Sequence, residues 1–494
     1  MKIFTKQKLH IFLKKYINSI FYCTLILIAL AYSCLSIVRH MHFQSGAFDL
    51  GIFDQTLWQY AHFLFPYSTI KEKFILGDHL NLTLPLLAPL YWIWDDVRVI
   101  LLFQACWITF STIGIYWYLQ ERTFTKLQSA LLSYLYIFFY GIQFAVFFDF
   151  HPIVLGVGLM AWLLYFWESK KWKLFWLSIF FLLLTQENTG IGLFGLCCVW
   201  FFQKKHRYLV IFLAILGLIT TGFSFYLIHI FSQGHLQYIP RFAQTIPGII
   251  YAFYDQPEKR SVWLYSYSSF AFLPLLSLGS FIAVIVDTSQ YFITGNDFNH
   301  MWSPFLHHRA ILAIFLVVGV ADVSLFLKSK KWNLTVLVIF LFLWSILVTY
   351  HFHFAITKLT KKDFWQNEQW MIDNTIVMQH IPQQVSLATQ QSLVPHVSHR
   401  EEIYLVYPRQ GSLKNTANVC VKNCWWLDFS GKPHYLFIDE HAHEWLTMTL
   451  VSSEQFLQAV QNMEKTHVIQ LFYKKGEARL YKINYAVLAK VKPQ

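Results

Sequence analysis

The chain has 494 residues, of which 56% are hydrophobic, 19% aromatic and only 13% charged, where a soluble globular protein carries about 25% charged residues. A mean hydropathy of +0.42 over the whole length excludes a water-soluble protein, because a folded core cannot hide that much apolar surface from water. The formal net charge of +12 does not mark a nucleic-acid partner. The cations fall in short clusters between apolar runs, the pattern of cytoplasmic loops and not of a phosphate-binding face.

Lys2, Lys6, Lys8, Lys14 and Lys15 place the N-terminus in the cytoplasm, ahead of a first span at residues 17–38. That run is longer than a signal-peptide core and no good small-x-small cleavage site follows it, so it is expected to be retained. An outer segment follows to about residue 98. Within it residues 80–94 are apolar but short and hold Pro85 and Pro89, which predicts an interfacial or re-entrant helix. Residues 99–119 return to Arg122 and Lys126, 127–148 go out, and 153–167 come back to Lys170, Lys171 and Lys173.

The next apolar stretch, 174–202, is too long for one ordinary span and is interrupted by Gln186-Glu187-Asn188-Thr189-Gly190. Basic residues flank both its ends, which predicts two short helices with the polar break toward the outer side. Residues 208–231 exit into a polar loop. Residues 263–293 count as two passes broken near 274–279, and 311–327 and 332–350 complete about eleven crossings. An odd number puts the C-terminus outside, although Lys358, Lys361 and Lys362 run against that bias.

Beyond Lys358 the composition changes. The pattern predicts an amphipathic helix at 365–381, strands at 385–388, 403–406 and 435–438, a helix at 453–463, and a closing hairpin at 468–473 and 478–483 around Lys475-Gly476. The fold class expected is an α-helical polytopic membrane bundle of about eleven spans plus a re-entrant or interfacial helix, residues 1–356, followed by a small extracytoplasmic α/β domain, residues 357–494. Five of the seven cysteines lie in apolar segments and no zinc spacing is present,. Cys420 and Cys424 form a disulfide if their domain is outside and the short loop brings their Cα atoms within about 7 Å; otherwise they are two unpaired thiols.

Polar residues in or near the apolar runs are few, and in this threading most meet the outer face. Asp49, Asp54 and Gln55 follow the first span, Asp78 and His79 come later in the same outer segment, Asp149 and His151 sit at an interhelical turn, and Glu187 lies in the polar break. A carboxylate at bilayer depth costs on the order of 3 kcal/mol, so such residues are usually functional or paired. Each also has a plain structural reading: Asp49 as a helix cap, Asp54 and Asp78-His79 as solvated turn groups, Asp149 and His151 as an ordinary turn. Arg260, His307, His308 and Arg309, near outer ends of the spans, read as headgroup anchors. The Trp and Tyr residues near span ends read as interfacial belts.

The runs FDLGIFDQTLW (from Phe48), GDHLNLTLPLLAPLYW (from Gly77), FDFHP (from Phe148) and QEN (from Gln186) together resemble the bacterial membrane-protein family called domain of unknown function twenty-seventy-nine. VSLATQQSLVPHVSHREEIYLVYP (from Val385) and HYLFIDE (from His434) look like the same family's tail, so the resemblance spans nearly the whole chain. One departure is Gln186-Glu187-Asn188, where the family more often has Lys-Glu-Asp; Glu187 itself is kept. The family is similar in layout to the GT-C class of polytopic glycosyltransferases.

That similarity implies transfer of a sugar from a polyprenyl-phosphate donor at the outer face of the cytoplasmic membrane, with membrane lipid as the surroundings. An inverting transfer needs a carboxylate base near the acceptor hydroxyl and cations for the departing phosphate. Asp49 is the expected base. Asp149, His151 and Glu187 would orient the acceptor or hold a divalent metal ion, and His307, His308 and Arg309 would meet the lipid phosphate. Asp54, Gln55, Asp78, His79 and Arg260 are further candidates for substrate binding. Asp49, Asp149, His151 and Glu187 are expected to converge in one outward-facing cavity. The alternatives are a transporter or flippase of lipid-linked intermediates, which would show repeated halves or mid-span charges, and a non-catalytic receptor or assembly factor.

Overall fold

Backbone groups in hydrocarbon must bond internally, so the apolar runs become helices. The computed structural model describes residues 6–235, 240–406, 427, 429–441 and 453–491. Among these, five helices are long and apolar enough to cross a membrane: Lys15–Met41, Arg98–Glu121, Arg207–Phe231, His307–Ser329 and Leu334–His351. A sixth candidate, read from the sequence as one straight span at 127–148, is a helix pair, Lys126–Ile137 and Tyr140–Phe147, bent by 51°. Shorter apolar helices include Ile153–Glu168, Trp172–Thr185 and Thr189–Phe202.

The chain divides into two compact units. The first gathers residues 1–36, 76–84 and 101–364; the second gathers 37–75, 85–100 and 365–494.

Close helix packing in the first unit rests on small residues. A Cβ at Gly190 would lie 2.2 Å from the carbonyl oxygen of Gly217, and one at Gly217 2.5 Å from that of Gly190, so helices Thr189–Phe202 and Arg207–Phe231 touch backbone to backbone,. The polar break between Trp172–Thr185 and Thr189–Phe202 is real: Gln186 is extended, and the Thr189 hydroxyl donates to the carbonyls of Leu182 and Gln186. The break expected near 274–279 lies slightly earlier. Helix Pro257–Ser268 gives way to a turn with Ala271 and Phe272 at positive φ, a short 3-10 stretch Leu273–Leu276, then helix Leu278–Phe292. Asp322, inside the span His307–Ser329, pairs with Arg122 at 2.9 Å and accepts from Gln203 at 3.1 Å.

The second unit is built on two sheets. The small one pairs β1 (Tyr67–Ser68) with β2 (Lys73–Phe74). The larger contains β3 (Leu387–Thr389), β4 (Ile403–Leu405), β5 (Tyr435–Asp439), β6 (Ile469–Lys475) and β7 (Ala478–Ile483) in the order β4-β3-β5-β7-β6. β3 runs parallel to β4 and β5, and β5-β7-β6 are antiparallel. β3 and β4 are buried at every position, as expected of parallel strands covered on both faces. Every strand and the helix at 453–463 expected from the sequence are found within a few residues. The amphipathic helix is shorter than 365–381, running Gln369–Met378, because Lys362–Trp365 forms a separate 3-10 turn. Cys420 and Cys424 lie outside the described residues.

Candidate functional site

In the first unit, four chain pieces bring polar side chains together. Glu187 is buried in the polar break. Its carboxylate accepts from the Nδ1 of His79 at 2.7 Å and from the backbone N–H of Leu80 at 3.2 Å. Gly77 lets the same segment pack against the end of helix Arg207–Phe231, since a Cβ there would meet the Phe231 carbonyl oxygen at 2.9 Å. Asp78 adjoins His79 in the same segment.

Asp149 and His151 occupy the turn between helices Tyr140–Phe147 and Ile153–Glu168, and both are buried. One side chain from helix Arg98–Glu121 pins that turn. The Gln104 amide oxygen accepts from the His151 N–H at 2.9 Å, and its nitrogen donates to the carbonyls of Ala145 (3.2 Å) and Asp149 (3.3 Å). Sequence reasoning passed over Gln104; a lone amide in an apolar helix was the signal.

The imidazoles form an array. His79 meets His151 edge-on at 6.1 Å between ring centres, His151 stacks on His307 at 3.6 Å, and His307 stacks on His308 at 4.1 Å. Among the described residues neither ring nitrogen of His307 has a hydrogen-bond partner, nor does Nδ1 of His308. Arg309 is fully buried. It donates through Nε and Nη2 to the carbonyls of Ser303 and Met301 and lies over the ring of Tyr291 at 5.1 Å, while Nη1 has no acceptor among the described residues. Asn188, next to Glu187, donates to the Tyr291 hydroxyl at 3.1 Å.

Thus Asp149, His151, Glu187, Asp78, His79, His307, His308 and Arg309 all belong to the first unit, and six of them are linked by the contacts just described. Arg260, also in the first unit, takes no part in those contacts. It is exposed and donates to the Tyr254 carbonyl, whereas its neighbour Lys259 is buried against Asp255 (2.8 Å) and the ring of Trp302 (4.0 Å). Among the four imidazoles, those of His151 and His307 bring ring nitrogens within 4.8 Å of each other, and such donors suit zinc or another transition metal better than magnesium or calcium. The Glu187 carboxylate on one ring nitrogen of His79 fixes that imidazole's orientation and raises its basicity,.

Asp49, Asp54 and Gln55 lie in the second unit. Asp49 sits in a π-helical turn, Ala47–Gly51, that leads into helix Ile52–Ala61; such wide turns are frequent at functional sites. Asp54 is fully buried and closed by the hydroxyls of Tyr91 and Ser398 and by Nε2 of His399 at 3.1 Å. The other nitrogen of His399 meets Asp95 at 2.8 Å. Burial alone would lower the His399 pKa, but Asp54 and then Asp95 outweigh it and hold it up at about 10. The hydrogen bond from His399 correspondingly holds Asp95 below the ordinary carboxylate value. Gln55 exchanges hydrogen bonds with Thr69 and donates to the Glu401 carbonyl at 3.0 Å. Both side chains therefore frame the second unit. His399, which sequence reasoning did not single out, bridges Asp54 and Asp95.

The family model described as "Predicted membrane protein (DUF2079)" matches residues 39–436. The chain belongs to the DUF2079 family. No curated protein matches this DUF2079 protein. Its structure is similar to the crystal structure of ArnT from Cupriavidus metallidurans bound to undecaprenyl phosphate, with a TM-score of 0.53 and 12% sequence identity. The likeness covers 96% of this chain and 99% of that one. The similarity in layout to the GT-C class, expected from the sequence, holds at the level of the fold. This DUF2079 protein is accordingly a multi-pass membrane protein with a GT-C-like fold and a C-terminal sheet region.

Proposed function

We propose that this protein is a membrane glycosyltransferase of the GT-C type, transferring a sugar from a polyprenyl-phosphate-linked donor at the outer face of the cytoplasmic membrane. The observation that carries the reading is the fold likeness over nearly both full chains to a protein seen with undecaprenyl phosphate. Fold alone does not give function, and the side chains supply the second support. In the first unit a buried guanidinium with an unused nitrogen and imidazoles with unused nitrogens adjoin a carboxylate-held histidine. Those are groups suited to an oxyanion and to a hydroxyl nucleophile.

In this reading Asp49 is the base that takes the proton from the acceptor hydroxyl. Asp149, His151 and Glu187 orient the acceptor or a divalent ion. His307, His308 and Arg309 meet the phosphate that leaves with the bonding electron pair. The threading is about eleven crossings with the N-terminus cytoplasmic and residues 357–494 outside. Replacing Asp49 tests the chemistry: Asp49→Asn should lower transfer at least about 100-fold while leaving the protein folded and inserted. Retained transfer would reassign the base, with Asp149 the next candidate.

A further inference from the structure

A cavity of about 400 Å³ in the second unit has an unusual wall. It is lined by the turn at Asp95-Asp96, by Thr375 and Gln379 at the end of helix Gln369–Met378, and by the loop carrying His396 and Arg400. Arg400 is only 9% exposed. Its Nε donates to the Val397 carbonyl at 2.6 Å and its Nη1 to the Val385 carbonyl at 3.0 Å. Among the described residues no carboxylate lies within ion-pair distance of it, and Nη2 has no acceptor.

A buried cation without a counter-charge is costly, and two neutral carbonyls orient this guanidinium without cancelling its charge. The rim carboxylates do not cancel it either. Asp96 is closed by three donors of Arg98, its backbone N–H (2.9 Å), Nε (2.7 Å) and Nη2 (2.5 Å), and Asp95 is held by His399. A second wall group is also incomplete, since Nε2 of His396 is buried without a hydrogen-bond partner. That ring is fixed by stacking on His40 at 4.0 Å and by a tilted contact with Phe43 at 4.1 Å.

We infer that this cavity binds a phosphate ester, its oxyanion at Arg400 with His396 beside it, and its remaining portion carrying hydroxyl donors toward Asp95. Asp95 is 56% exposed and would repel a second anionic group, so the ligand bears one phosphate and polar, donating substituents. Glycerophosphate has that chemistry, free or as the headgroup of an anionic phospholipid. No residue of this wall is assigned to sugar transfer, and the inference stands whether or not that reading holds.

The test uses the full chain in phosphatidylcholine nanodiscs, titrated with glycerol 3-phosphate and, in parallel preparations, with increasing phosphatidylglycerol, binding being read by phosphorus NMR and tryptophan fluorescence. Saturable binding of either probe is expected. A response to glycerol 3-phosphate assigns a soluble ligand, and a response to phosphatidylglycerol alone assigns the lipid headgroup. Gln379→Glu, at an exposed position on the rim, should weaken binding at least about tenfold by repelling the phosphate, and Arg400→Gln should do the same by removing its partner. Because Arg400→Gln also removes bonds to two carbonyls, the exposed Gln379 variant keeps the test independent of folding. Absence of saturable binding by both probes, or affinities unchanged in Gln379→Glu, would overturn the inference.

Discussion

At the scale of single residues, the cost of polarity in apolar surroundings explains what was legible. Glu187, Asp149, His151 and the His307-His308-Arg309 run stand out in the sequence because each interrupts or borders an apolar run, and the structure buries all of them except His308, which is half-buried. Gln104 was missed because an uncharged amide hardly alters hydropathy. Lys259 was missed for a geometric reason: adjacent helical residues point about 100° apart, and nothing in the sequence says that Lys259 faces inward and Arg260 outward. His399 was invisible because its partners, Asp54 and Asp95, are more than 300 positions away in the chain.

His399 also sets a pH dependence. Its folded pKa, about 10, lies above the ordinary 6.5, so its contribution to stability is complete below about pH 6.5. It declines as pH rises and is lost once pH passes about 10. The thermal midpoint of the second unit should therefore fall between pH 7 and pH 10, followed by fluorescence of the purified protein. In Asp54→Asn the slope should flatten and the midpoint at pH 7 should drop, the loss being about 3 kcal/mol for a broken buried pair. Parallel wild-type and variant curves would show that the pair does not govern this behaviour.

At the scale of elements, lengths and breaks were readable wherever a polar group or a proline marks them, as at Gln186-Glu187-Asn188 and at Pro274. The bend between Ile137 and Tyr140 carries no such mark. It follows from packing: Gly141 presses on the Arg309 carbonyl, where a Cβ would approach to 2.4 Å, and the Gln143 amide donates to the Phe138 carbonyl freed by the bend. The same kind of contact predicts a helix-packing defect. Gly190→Ala or Gly217→Ala should each destabilise the first unit by about 1–3 kcal/mol through overpacking. Gly222→Ala, where nothing lies within 4 Å, should be neutral or slightly stabilising. Melting of the three purified variants checks this, and equal behaviour would contradict the close contact of the two helices.

At the scale of the whole molecule, composition alone marked a membrane protein, and period-two and hairpin patterns marked the C-terminal strands. The grouping of residues 37–75 and 85–100 with the C-terminal part was not legible, because it rests on contacts such as Gln55 with Glu401 and Thr69 with Ile403 that no local pattern encodes. Sidedness is the next consequence of the threading. Reporter fusions after Lys330 and at the C-terminus should give opposite signals, cytoplasmic and external; equal signals would mean that residues 263–293 cross once. The central claim is tested most directly by supplying the purified protein with polyprenyl-phosphate-linked sugars labelled in the sugar and following the lipid product. The account predicts release of polyprenyl phosphate with the label passed to an acceptor hydroxyl. Intact donor that is bound, or moved across the bilayer, without any cleavage of the sugar–phosphate bond would contradict it.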